Sequence, residues 1–236
     1  MRRFILTICA MVCALNVMAQ EASVEANRPV KEFLSSFTAI KVDAPIKLQL
    51  IKIGKDEAPY MIYDTKGVIT SKFTAEVDRK SNTLKISERS DPKRESVTEV
   101  QIYFNNLTDI SISKADVTVE GVLESQLLDV YVSNDALLIA EVKVLDLMLF
   151  AAGKSRIILS GEARYQTADI SSAEYDAGRL TTVSTIAESS HNAVVKAYAT
   201  ERLEGKTSTG GKIYYVTQPV ILRSDVTLFG GEISKI

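Results

Sequence analysis

Residues 133–159 read SNDALLIAEVKVLDLMLFAAGKSRIIL, and this stretch decides the fold. A polar corner, Ser133-Asn134-Asp135, opens into a β-type run at Leu137. A second corner, Gly153-Lys154-Ser155, opens into another at Ile157. The same signal recurs through the C-terminal part of the chain. Its runs begin at Val117, Leu137, Ile157, Tyr175, Ala193, Ile213 and Ile233, at intervals of 20, 20, 18, 18, 20 and 20 residues. A short fixed period marks a repeat architecture, in which each unit buries its face only against its neighbours. The expected fold is all-β: a parallel β-helix-like solenoid with coils of about 19 residues. Gly, Asn, Asp and Ser at the corners suit positions that need φ > 0 or a side-chain-to-backbone bond. A two-sheet sandwich or a barrel also shows frequent short strands and turns, but neither requires so regular a spacing.

Upstream of the repeats the β pattern is less regular. Ile40, Val42, Ile46, Leu48 and Leu50 alternate with mostly polar residues, the period-2 mark of half-buried strands. Short strands are expected at 61–63, 72–77, 84–86 and 100–104, with a charged loop, ERSDPKRES, at 88–96. Residues 144–152 and 194–204 contain good helix formers, so a short helix competes with strand there.

The first nineteen residues have the layout of a secretory signal: Arg2 and Arg3, an apolar stretch from Phe4 to Leu15, and Val17-Met18-Ala19 before Gln20. The apolar stretch is shorter than the roughly 20 residues a membrane span needs. Cys9 and Cys13 follow Ile8 and Val12 rather than small residues, so no lipid anchor is expected. Both cysteines leave with the signal, and the mature chain, Gln20 to Ile236, has neither a disulfide nor a thiolate metal site. Loss of two arginines takes the formal net charge from −2 to −4. The charges are interspersed, which excludes a basic nucleic-acid footprint. Residues 20–36 read as a flexible tail and 37–236 as one domain. The expected location is exported, in the periplasm or at the cell surface, with no membrane insertion after cleavage.

The ordered set of motifs carries a family resemblance. Phe37-Thr38-Ala39-Ile40-Lys41-Val42 opens the domain, and Leu84-Lys85-Ile86 precedes the charged loop. Leu107-Thr108-Asp109-Ile110 leads into the small-residue corners Ala151-Ala152-Gly153-Lys154-Ser155, Ser171-Ser172-Ala173 and Ser208-Thr209-Gly210-Gly211. Lys212-Ile213-Tyr214-Tyr215, Pro219 and Gly230-Gly231-Glu232-Ile233 close the chain. From Phe37 to Ile236 this resembles the bacterial family described as putative auto-transporter adhesin, head GIN domain. The resemblance implies an exported, right-handed β-helix-like protein without established catalytic residues. The glycine that members carry before the late proline is absent, since Thr217-Gln218 precedes Pro219.

Several residue sets could carry chemistry. His191, the one histidine, sits in a corner beside Glu188; a catalytic triad would need convergence with a serine and an acid, and a solvent-facing turn residue is the simpler reading. Asp129, Asp135, Asp146, Asp169 and Asp176 fall on successive coils, where stacked carboxylates could bind Ca²⁺ or act as a glycosidic acid and base, or form a solvated face. Tyr175, Tyr198, Tyr214 and Tyr215 suit sugar recognition through an apolar body and a polar tip, although strand tyrosines more often pack. No phosphate loop, dinucleotide fingerprint or zinc cluster is present.

The resulting expectation is a cell-envelope binding or adhesion protein without catalytic activity, cofactor or metal. Asn134, Asp135, Lys154, Glu174, Tyr175, His191 and Asn192 are its exposed contacts. The partner is a glycan, a cell-surface protein, or a second copy meeting the open end at Ile233 to Ile236. The alternative is a carbohydrate-active enzyme, a polysaccharide lyase or glycosidase, using carboxylates on adjacent coils.

Overall fold

The computed structural model describes residues 29–66, 72–89, 96–227 and 229–236. The expected export signal lies outside these residues. All the regular elements described are strands. The first eight are β1 (Val30–Phe33), β2 (Ala39–Asp43), β3 (Lys47–Lys52), β4 (Tyr60–Asp64), β5 (Phe73–Asp78), β6 (Thr83–Glu88), β7 (Glu99–Phe104) and β8 (Asp109–Ser113). Five long strands follow: β9 (Asp116–Ser133), β10 (Leu137–Ala152), β11 (Arg156–Ser171), β12 (Glu174–Ser190) and β13 (Val194–Thr207). The chain closes with β14 (Lys212–Tyr215), β15 (Ile221–Val226) and β16 (Glu232–Lys235). The stretches 144–152 and 194–204 are strand, because each lies between two parallel neighbours that saturate its backbone.

Each long strand is one coil of a solenoid. Its first residues belong to one wall and its last residues to a second wall. The first wall stacks Val100, Leu48, Val117, Leu138, Ile157, Tyr175, Val195, Ile213 and Ile233 in register. From Val117 onward the spacing is 21, 19, 18, 20, 18 and 20 residues. The sequence period is therefore real, with Leu137 and Ala193 standing one and two residues before the stacked position. The second wall stacks Leu84, Ile40, Ile110, Val130, Leu149, Ala168, Ala187 and Gly205. This ladder tapers from Leu and Ile to Gly, and the opposite wall fills the space. A Cβ on Gly205 would lie 3.1 Å from Ile233 Cδ1 and 3.3 Å from Ile213 Cδ1. Volume is conserved across the core rather than within one ladder.

The N-terminal coils do not follow chain order. β2 and β3 lie between the coil of β6 and β7 and the coil that starts with β8. Antiparallel β4 and β5 finish the two walls at this end, and β1 pairs with β4. Val30–Phe33, expected in a loose tail, is thus an edge strand. It is held by aromatic contacts: Lys31 Nζ lies 3.8 Å from the Tyr60 ring centre, and Tyr60 stacks on Tyr103 at 4.1 Å. Antiparallel edges with a short, charged last strand protect such an end from further pairing.

Tight corners join the second wall to the first. Lys114, Asn134, Asp135, Lys154, Ser172, His191, Asn192 and Thr209 all have φ between 49° and 65°. Their backbones stack: Asp135 N donates to Gly153 O at 2.9 Å, Lys154 N to Ser172 O at 2.7 Å, and Asn192 N to Thr209 O at 3.0 Å. The return bend lies within each strand and takes a left-handed glycine at two points, Gly121 in β9, with φ +82°, and Gly161 in β11. Gly161 has φ +101°, and a Cβ there would press on the Val142 carbonyl.

Candidate functional site

The corner edge holds five of the seven expected contacts. Asn134, Asp135, Lys154, His191 and Asn192 are exposed there, and all five are left-handed. Asn and Asp tolerate that conformation; Lys and His adopt it at some cost, and only because stacked neighbours hold them. Lys154, Glu174 and Asn192 share a shallow depression of about 400 Å³. Glu174 lies 3.5 Å from Arg156 Nε. Asn134 donates to Ser113 Oγ at 3.0 Å, while His191 Nδ1 lies 3.1 Å from Ser171 Oγ and 3.2 Å from Ser190 Oγ. Glu188 turns instead to Lys206, at 3.7 Å. His191 is therefore a partner of two serines on a surface ladder.

Tyr175 corrects the expectation of an exposed contact. It is 1% exposed and points into the core, where its hydroxyl accepts a hydrogen bond from Gln166 Nε2. Burial pushes the phenol well above its ordinary range, so it stays neutral. Thr185 Oγ1 donates to Gln166 Oε1 at 3.3 Å and contacts Thr182 Oγ1 at 2.7 Å. The other three candidate tyrosines are packed, half-buried or paired. Tyr215 is buried, Tyr198 is half-buried, and Tyr214 donates to Glu232 at 3.2 Å.

The aspartates do not form one face. Asp135 is a corner, and Asp176 lies on the first wall, 3.0 Å from Lys196 Nζ. Asp129, Asp146 and Asp169 lie on the outer face of the second wall. Asp129 is in register with Asp109, and its pKa is raised by partial burial and by the charges of Asp109 and Asp146. Among the described residues no group of three or more His, Cys, Asp or Glu is placed to hold a metal.

That outer face also carries a feature the sequence reading missed. Tyr131 and Phe150 are in register, with ring centres 5.1 Å apart and planes 8° from parallel. The ladder runs Ser111, Tyr131, Phe150, Asp169, Glu188, Lys206. A depression of about 340 Å³ opens beside the two rings, lined by Ser133, Ala152, Asp169 and Ser171. Leu127, Met148, Tyr165 and Ile186 are exposed on the same wall. The signal was available. Tyr131 lies between buried Val130 and Val132, and Phe150 between buried Leu149 and Ala151, one coil on. Laying the repeats out in register would have found them. On the first wall, a depression of about 600 Å³ includes Gln49 and Gln101, but these side chains already bond each other and Glu120.

As expected, Ile233 to Ile236 sit at an open end: β16 closes the strand order of the first wall, beside β15 at the end of the second. Ile233 is half-buried in β16, paired beside Ile213. The exposed element is β15, all six residues of which face solvent. Val220 and Phe229 flank it at 83% and 84% exposure.

The profile of the family described as putative auto-transporter adhesin, head GIN domain, matches residues 36–219. Three solved structures share the fold. A putative adhesin from Bacteroides fragilis is 19% identical, with TM-score 0.79, covering 89% of this chain and 96% of its own. A putative adhesin from Parabacteroides merdae is 15% identical, with TM-score 0.68 and coverage of 89% and 95%. A protein from Parabacteroides distasonis described as a putative lipid binding protein is 17% identical, with TM-score 0.68 and coverage of 89% and 96%. No protein of curated function matches the chain.

Proposed function

We propose an adhesion-type role for this chain, which belongs to the putative auto-transporter adhesin, head GIN domain family: an exported binding module that holds a surface molecule without transforming it. Residues 1–19 are its export signal, and 37–236 its binding domain. The observation that carries this reading is the stacking of coils in register, which sets one outward side chain above another along the second wall and its corner edge. A solenoid built this way offers a long, rigid surface with one set of determinants per coil, suited to binding an extended molecule.

The same arrangement argues against catalysis. His191 is bonded to serines at an exposed corner, and Glu188 is drawn to Lys206. A histidine beside a serine is half of a nucleophile–base arrangement, but here the corner is exposed and the neighbouring carboxylate, Glu188, pairs with Lys206 instead of orienting the ring. The five corner contacts, Asn134, Asp135, Lys154, His191 and Asn192, with Glu174 beside them at the start of β12, form the edge of the proposed surface. Beads coated with the mature chain, Gln20 to Ile236, test the reading. They should adhere to cell-surface material in a saturable way that soluble protein competes away. Adhesion no greater than that of albumin-coated beads would refute it.

A further inference from the structure

The aromatic ladder on the second wall stops one rung short. Tyr131 and Phe150 stack at 5.1 Å, close to the ~4.8 Å separation of neighbouring strands. The next rung in register is Asp169, whose short side chain does not continue the stack. One face of Phe150 is covered by Tyr131, and the other looks along the ladder over Asp169. The depression of about 340 Å³ lies here, lined by both rings and by Asp169. Its lining includes Ser133, on the Tyr131 coil, and Ser171, two coils on and beside Asp169; the Ser171 hydroxyl lies 3.1 Å from His191 Nδ1.

The geometry points to a pyranose-binding slot: the apolar face of one neutral hexopyranoside of a surface polysaccharide stacks on Phe150, and its hydroxyls donate to the Asp169 carboxylate and bond to Ser171. This rests on the adhesion reading and gives it a ligand class. An aromatic face supplies apolar contact to the C–H side of a sugar, and a carboxylate accepts from its hydroxyl groups. Tyr131 buttresses Phe150 and so fixes the orientation of the ring before the ligand arrives. Charge selects among glycans. Asp169 lines the slot, Glu188, paired with Lys206, is the next rung, and Asp109, Asp129 and Asp146 lie farther along the same wall, so uronate-rich or sialylated chains are disfavoured.

The test uses the mature protein, with oligomers of glucose, mannose and galactose and with oligogalacturonate, alongside the bead assay. Two variants separate the slot from the fold. Phe150→Ala removes the platform. Asp169→Phe extends the ladder and fills the slot with a third ring, so it should fold at least as well as the parent. Binding to a neutral oligomer, weakened about tenfold or more in both variants, with oligogalacturonate unbound, is the expected result. Neutral-oligomer binding that survives either variant overturns the slot. So does preference for oligogalacturonate or for a cationic peptide such as oligolysine, or bead adhesion without any hexose binding, and in these cases adhesion stands. Loss of bead adhesion by the parent protein overturns both.

Discussion

Gln166 Nε2 donates a hydrogen bond to the hydroxyl of Tyr175 inside the core, across the gap between the two walls. Gln166 occupies the ladder position that Leu128 and Leu147 fill in the preceding coils and Leu203 fills two coils later. Two neighbouring coils have thus exchanged apolar rungs, at Gln166 and Thr185, for a connected polar set. The set is tolerable only because its members satisfy one another.

Tyr175→Phe should therefore destabilise the protein by about 1–3 kcal/mol, because it strands the buried Gln166 amide. The double variant Tyr175→Phe/Gln166→Leu should recover much of that loss by restoring the leucine ladder. Urea midpoints decide the matter. A single variant as stable as the parent would mean that the bond contributes nothing.

The return bend at Gly161 gives a second test. Its φ of +101° and the nearness of the Val142 carbonyl leave no room for a Cβ. Gly161→Ala should cost about 2 kcal/mol or more, a fall of roughly 4 °C or more in midpoint. An unchanged midpoint in calorimetry would contradict the bend geometry.

The acidic face makes stability depend on pH. Partial burial, Asp109 and Asp146 raise the Asp129 pKa in the folded state above its unfolded value. Its favourable contribution is therefore present below the unfolded pKa and is lost as pH rises through the folded one. Asp129→Asn should raise the midpoint at neutral pH, by less than about 1 kcal/mol for so solvated a group. The gain should shrink toward zero in acid. A gain of equal size at pH 3 and pH 7 would exclude the like-charge account.

At the far end, β15 leaves Ile221, Leu222 and Val226 uncovered beside Val220 and Phe229. An exposed apolar edge strand invites association. Sedimentation should show size growing with concentration, and Ile221→Lys should suppress it. A single monomeric species at every concentration would rule this end out as a contact between copies.

Much of this architecture is legible in the chain. The corners at Asn134, Gly153 and His191 set the period, and buried ladders such as Val117 to Ile233 follow from it, because a solenoid stacks like upon like. Two things are not legible. The insertion of β2 and β3 between later coils depends on pairings across 44 to 70 residues, which leave no local mark. Tyr175 misled because strand alternation places it on one of two faces, and a one-residue difference in register exchanges core for solvent. Its polar tip suggested the outside, whereas Gln166 supplies that tip with a partner inside. Tyr131 and Phe150 went unseen for the opposite reason: each looks like ordinary strand filling until the coils are aligned.

The central claim is binding without transformation, and one experiment meets it directly. The mature protein is passed over immobilised surface polysaccharide while the eluate is assayed for new reducing ends and unsaturated products. The account predicts saturable, reversible binding and an eluate free of both. Release of cleaved sugar, abolished by substitution of Asp129 or Asp146, would show instead that the carboxylates of adjacent coils form a catalytic pair.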